Sequence, residues 1–174
     1  MNEACADRPY SGTTCIEARL LADGDSWGGW DFMNGVLPAG EVSPRENWGS
    51  YANAGVTLTG ARRLTFMAKG QKGGERVEFF VAGVGRDGGD LPPYPDSSPK
   101  ISTGYVTLTS AWKEYSITLT GRDLSYVLGG FGWVSSAVKN SNRDIVFYLD
   151  DIQYELPRPE APRLMLSYQT LPGT

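Results

Sequence analysis

The chain has 174 residues, 40% of them apolar and 21% charged, with a formal net charge of −4 and no basic block. That balance describes one globular domain with a sizeable core and argues against nucleic acid or an anionic membrane as a partner. No apolar run approaches the roughly 20 residues that span a bilayer, and the lack of any histidine excludes a Ser-His-Asp or Cys-His catalytic site, or a His-ligated zinc, built from this chain alone.

The chain opens with Met1-Asn2-Glu3-Ala4, without a charged-then-apolar leader, which suggests an exported protein after signal removal or an excised module. Met1–Thr14 reads as polar and turn-rich. Cys5 and Cys15 lie close in sequence; they either close a short disulfide loop, as an exported protein allows, or are two separate small core residues. Cys15–Leu21 predicts a strand, turned by Asp23-Gly24-Asp25. Ser26–Ala54 then reads as a long irregular region that holds three of the five tryptophans, Trp27, Trp30 and Trp48. Loops of that length are usually functional or disordered, and the tryptophans argue against disorder.

Further strands are predicted over 64–69, 75–84, 105–110, 113–120 and 127–134. Leu64, Phe66 and Ala68 alternate with Thr65, Met67 and Lys69; Val77, Phe79 and Val81 share one face; and Tyr115, Ile117 and Leu119 alternate cleanly. Trp112 and Trp133 read as core residues. The last strand, Ile145–Glu155, has an unusual pattern: Phe147 and Leu149 share one face, while Ile152 and Tyr154 have the opposite parity. The switch falls at Asp150-Asp151 and predicts a bulge or kink there. Adjacency places the two carboxylates on opposite faces. A carboxylate in such a strand needs a partner. For Asp151 that is either Ca²⁺, with Asp7 and Glu3 as possible co-ligands, or an arginine, Arg19 or Arg143.

Residues 156–162 read as a proline-rich extended linker and 163–174 as the start of a further segment, so the domain is expected to occupy 1–155. About seven short strands, with turn signals between them and no helical period, predict an all-β, two-sheet antiparallel β-sandwich or jelly roll. No strand carries the alternating carboxylates expected of a β-sandwich glycan hydrolase, so catalysis is not expected. The aromatics are more informative. Flat indoles stack on the C–H face of a sugar while polar side chains read its edge. Trp27, Trp30, Trp48 and Tyr51, with Asn47 and Glu46 beside them, form the candidate binding set; the structural alternative is that these tryptophans simply cover a sheet.

Leu64-Thr65-Phe66-Met67-Ala68-Lys69-Gly70 with Gly73-Gly74-Glu75, then Trp112-Lys113-Glu114-Tyr115-Ser116-Ile117, then Gly129-Gly130-Phe131-Gly132-Trp133-Val134, and above all Phe147-Tyr148-Leu149-Asp150-Asp151-Ile152, resemble the bacterial carbohydrate-binding modules of the galactose-binding-like jelly roll. The resemblance covers roughly residues 15–155. It implies a glycan site on a concave face or in end loops, a structural calcium near the last strand (here Asp151, with Asp7), secretion or a cell-surface or periplasmic location, and fusion to a glycan-active domain. Such modules open with a strand that pairs near the last one. Little strand-like sequence precedes Cys15, so a strand from 163–171 would have to take that place. The expected function is a non-catalytic module that binds a polysaccharide, a β-glycan; the alternative is a structural or protein-interaction sandwich that binds no sugar.

Overall fold

A computed structural model describes residues 1–86 and 91–157. Nine strands occur among them: β1 Asn2–Cys5, β2 Cys15–Leu20, β3 Trp27–Met33, β4 Arg63–Gly70, β5 Arg76–Val81, β6 Ile101–Thr107, β7 Lys113–Thr118, β8 Gly129–Ser136 and β9 Ile145–Glu155. One 3₁₀ turn, Val138–Asn140, precedes β9. The strands form two antiparallel sheets in the orders β1-β2-β9-β4-β7 and β3-β8-β5-β6. The all-β sandwich expected from the sequence is therefore the observed architecture.

The core lies between the sheets and follows the alternation. Leu64, Phe66 and Ala68 of β4, Val77, Phe79 and Val81 of β5, and Phe147 and Leu149 of β9 are all buried. Phe66 and Phe79 approach to 4.6 Å between ring centroids, and Trp133 meets Phe147 edge-on at 4.9 Å. Burial of large aromatics at such positions is the main favourable term in the fold.

Two strands were not legible. β1 stands where a turn is expected; its first three residues are exposed and only Cys5 is buried, so it has no apolar alternation to detect. It pairs with β2 at the edge of the five-stranded sheet, the place the sequence reading assigns to residues 163–171. Those later residues, and with them all but Leu156 and Pro157 of the expected linker and further segment, lie outside the described part. β3 stands where the irregular region is expected to start, its pattern interrupted by Gly28-Gly29. Glycine is required at 29, where a side chain would collide with the carbonyl of Trp133 on β8.

Cys5 and Cys15 face each other across β1 and β2, both buried, and both are unbonded thiols. Burial, and then the neighbouring Cys5, push the Cys15 thiol up to about 11. They pack with Tyr148 in a small cluster outside the main core. Trp112 joins that cluster rather than the main core, half-buried, with its Nε1 donating to the carbonyl of Arg8 at 3.1 Å.

The bulge predicted in β9 is present. Thr65 pairs with Gln153 and Met67 with Asp150, so Phe66 faces two residues, Asp151 and Ile152. Asp151 takes φ +46°, the left-handed conformation. The extra residue returns Ile152 and Tyr154 to the core side despite their opposite parity. It also corrects the expectation that the two carboxylates point apart. Asp150 Oδ2 accepts from the backbone N–H groups of Tyr10 (2.8 Å) and Ser11 (3.2 Å), and Asp151 Oδ1 accepts from Ser11 Oγ at 2.6 Å. Both carboxylates serve one turn of the N-terminal loop. Neither candidate arginine is involved: Arg19 pairs with Glu17, and Arg143 Nε donates to the carbonyl of Asn140.

Candidate functional site

The outer face of the β3-β8-β5-β6 sheet is built for a flat ligand. Along β8, Phe131 and Trp133 turn to the core, which leaves Gly130 and Gly132 on the outer face. Along β5, Val77, Phe79 and Val81 are buried, so Phe80 is left outward. Its ring lies across Gly132, in space that a side chain at 132 would fill. Lys100 Nζ sits 5.5 Å from the Phe80 centroid and pairs with Glu78 Oε1 at 3.2 Å. The result is a groove of roughly 530 Å³ with Phe80 on its floor and Trp27, Trp30 and Trp48 among its lining residues. These tryptophans are 75%, 47% and 56% exposed. Large aromatics left that open on a rigid sheet mark an interaction surface.

Trp27 and Trp30 sit on strand β3, not in a loop as expected, and the sheet fixes their spacing. Trp48 does come from a loop, and that loop is locked from beneath. Asn47, fully buried, accepts with its Oδ1 from the N–H groups of Gly49 (3.0 Å) and Tyr51 (3.2 Å). Gly49 adopts φ +94°, and a Cβ there would press on Pro92 and on the carbonyl of Tyr94. Tyr94 N–H donates to the Gly49 carbonyl at 2.9 Å.

The sequence-predicted set is therefore divided. Trp27, Trp30 and Trp48 all line the groove, but Trp30, opposite Trp133 in the register, lies on the core-facing side of β3 at the sheet edge, so Trp27 and Trp48 are the two that stand over the outer face. Asn47 was expected as a ligand contact and is instead a buried loop brace, because its side chain satisfies main-chain donors. Glu46 is exposed and Tyr51 is 38% exposed, but neither lines the groove. Phe80, Lys100 and Asp31 line it and were missed. Phe80 was legible in principle: buried Val77, Phe79 and Val81 require it to face out. Asp31 carried no such signal while β3 was unrecognised.

Asp31 and Asp96 supply the local electrostatics. Asp96 is fully buried, and its carboxylate accepts from the N–H groups of Val84 (2.9 Å) and Leu128. Burial raises the Asp96 carboxyl while those backbone donors pull it down. The Asp31 carboxyl is pushed up to about 6, first by burial and then by the charge on Asp96. Four buried side-chain polar atoms lack a hydrogen-bond partner among the described residues: Asp31 Oδ1, Asn47 Nδ2, Trp133 Nε1 and Glu75 Oε2. The first three belong to the groove or to the loop that holds Trp48.

Asp151 and Asp7, expected to share a calcium, are not brought together. Asp151 shares a hollow with Asp150 and the other expected co-ligand, Glu3, while Asp7 lines a separate one with Arg8 and Lys69. Asp150 and Asp151 are occupied as acceptors by the Tyr10–Ser11 turn. No group of three or more Asp, Glu or Cys side chains suited to a metal ion forms among the described residues. Nor is any helix among them long and apolar enough to cross a membrane.

No protein-family model matches the sequence, and no curated protein sequence matches it. Solved structures do resemble it in fold. A crystal structure described as a family 30 carbohydrate binding module superposes with a TM-score of 0.53 at 19% identity, over 91% of this chain and 76% of that one. A second such module gives 0.53 at 16% identity, over 86% of this chain and 80% of that one. The family 30 carbohydrate-binding module of the cellulosomal cellulase Cel9D-Cel44B of Clostridium thermocellum gives 0.52 at 19% identity, over 86% of this chain and 78% of that one. At these identities the likeness is one of fold.

Proposed function

We propose that the protein is a non-catalytic carbohydrate-binding module that holds a β-glycan against the outer face of its four-stranded sheet and so brings an attached glycan-active domain to its substrate. The observation that carries this reading is the pair of open tryptophans, Trp27 and Trp48, over a floor of Phe80 and glycine backbone, with Trp30 at the edge of the groove. Indole faces complement the apolar faces of pyranose rings, and a rigid sheet presents them at little conformational cost. The similarity in fold to family 30 modules, one of them from a cellulase, supports the ligand class and the fused arrangement. A secreted or cell-surface location follows from an extended polysaccharide ligand.

The groove is a poor catalyst in this reading. Glycoside hydrolysis needs two accessible carboxyl groups about the scissile bond. Asp31 is the carboxylate among the described lining residues, and Asp96 behind it is buried and bonded to backbone. Affinity electrophoresis of the full chain through gels with a mixed-linkage β-glucan, a xylan or a mannan tests the proposal. Retardation by at least one, lost in a Trp27→Ala variant, is expected. Unretarded migration through all three would leave the protein as a structural or protein-interaction module.

A further inference from the structure

Asp31 is an acceptor without a donor. It lines the groove, and its Oδ1 is buried with no hydrogen-bond partner among the described residues. Strand β3 sets its place: it pairs with Gly132 on β8, beside Trp30. A Cβ on Gly129 would stand 3.2 Å from Oδ1, so the carboxylate lies against bare backbone. The charged neighbours do not relieve it. Asp96, from the loop before β6, has the same sign. Lys100, in the groove lining, is paired with Glu78. Arg86 donates to the carbonyls of Asp96 (2.5 Å) and Ser97 (3.1 Å). Buried acceptors left this way are disfavoured in folded proteins and call for an explanation. A ligand that brings the missing donor is one.

We infer that Asp31 is the residue with which the groove reads a sugar hydroxyl: its carboxylate accepts the hydroxyl proton of a neutral glycan lying on Trp27 and Trp48. This rests on the glycan-binding reading above and narrows it. Stacking on indoles is tolerant of sugar identity, whereas a desolvated acceptor rejects a ligand that lacks the matching donor. The ligand class is neutral because Asp31, backed by Asp96, meets a uronate or sulfated chain with like charge, while the lysine of the lining is already paired. A hydroxyl donating to the ionised carboxylate stabilises that form. Since burial and Asp96 hold the free group near 6, binding tightens as pH rises through that value.

The test compares wild type, Asp31→Ala, Asp31→Asn and Trp27→Ala at pH 5 and pH 7.5 by calorimetric titration with soluble mixed-linkage β-glucan, xylan, mannan and polygalacturonate, with urea unfolding of each protein in parallel. Wild type is expected to bind at least one neutral polymer, more tightly at pH 7.5, and not polygalacturonate. Asp31→Ala binds about tenfold more weakly at pH 7.5. Asp31→Asn, of the same shape, binds about threefold more weakly and loses the pH dependence. At pH 7.5 both unfold at or above the wild-type midpoint, because each removes a buried, unpaired charge; a merely structural carboxylate would lower it. If Asp31→Ala fails to fold, Asp31→Asn decides. Equal binding by wild type and Asp31→Asn at both pH values, with Trp27→Ala inactive, overturns the role of Asp31 and leaves the aromatic platform standing. Tighter wild-type binding at pH 5 overturns the acceptor role, and binding of polygalacturonate overturns the neutral class. Wild type that binds no neutral polymer overturns both readings.

Discussion

Asp31 and Asp150 are carboxylates on opposite sheets of one sandwich, and they are treated in opposite ways. Asp150, at the β9 bulge, accepts from the N–H groups of Tyr10, Ser11 and Asp151. Asp31, in the tryptophan groove, keeps an oxygen buried and unpartnered. The aromatics divide in the same way: Trp112, by the bulge-side sheet, has its indole N–H satisfied and its ring against Tyr10, while Trp27 and Trp48 stand open. The difference teaches where to look for function. One sheet face satisfies its polar groups from within the chain and holds the fold together. The other leaves apolar faces and a polar atom unmatched, which is what a surface completed by a ligand looks like.

The comparison is broken most strongly by removing the platform. A Trp27→Ala/Trp48→Ala double variant is expected to lose about a hundredfold in polysaccharide affinity, roughly tenfold per ring, by calorimetric titration, with an unchanged unfolding midpoint. A large fall in stability would mean that these rings belong to the core. The reverse signature belongs to the other sheet. Asp150→Ala strands three N–H donors and is expected to lower stability by about 2 kcal/mol in urea unfolding while affinity is unchanged. Asn47→Ala lies between the two. It frees the loop under Trp48 and is expected to cost about 1 kcal/mol of stability together with a severalfold loss of affinity.

Proton linkage sharpens the contrast further. With its folded carboxyl at about 6 against the ordinary 3.8, Asp31 binds protons more tightly in the folded state. Its stabilising effect is present at acid pH and fades as pH rises between those values, so the unfolding free energy falls there. Asp31→Asn should flatten that part of the stability profile relative to wild type; an unchanged profile would contradict the burial of this group. The smallest effect concerns calcium. With Asp150 and Asp151 bonded to the Tyr10–Ser11 turn, a chelator is expected to leave the thermal midpoint where it is, and a clear drop would restore a cation to that end of the sandwich.

Much of the fold was legible because alternation is a strong signal where one face is buried. β4, β5, β7 and β9 were each placed within a few residues by their Leu64-Phe66-Ala68, Val77-Phe79-Val81, Ile117 and Phe147-Leu149 patterns. β1 and β3 were hidden because an edge strand buries little and because Gly28-Gly29 has no side chains to alternate. The candidate site was half legible for the same reason. Unusual tryptophans are visible in any sequence, but whether they stand on a strand or a loop depends on β3. Asn47 looked like a ligand contact because polarity does not reveal whether a side chain points to solvent or to its own loop. Asp31 and Lys100 are ordinary residues whose meaning arises only from what the sheet places beside them.

The bulge in β9 also determines how this strand can change. It splices two half-strands that are out of phase by one position, and Asp151 is the splice. Residues before it and after it reach the same core only while Asp151 stays out of the pleat. Substitution at Asp151 would weaken a turn contact. Drawn into the regular pleat instead, Asp151 would rotate every later residue of the strand, turning Ile152 away from the core and pulling the Tyr154 hydroxyl off the carbonyl of Gly130 in the facing sheet, whereas its deletion would leave a plain alternation with Ile152 and Tyr154 still on the core side. The two sheets are thus kept in step by a residue whose own side chain touches neither the core nor the groove.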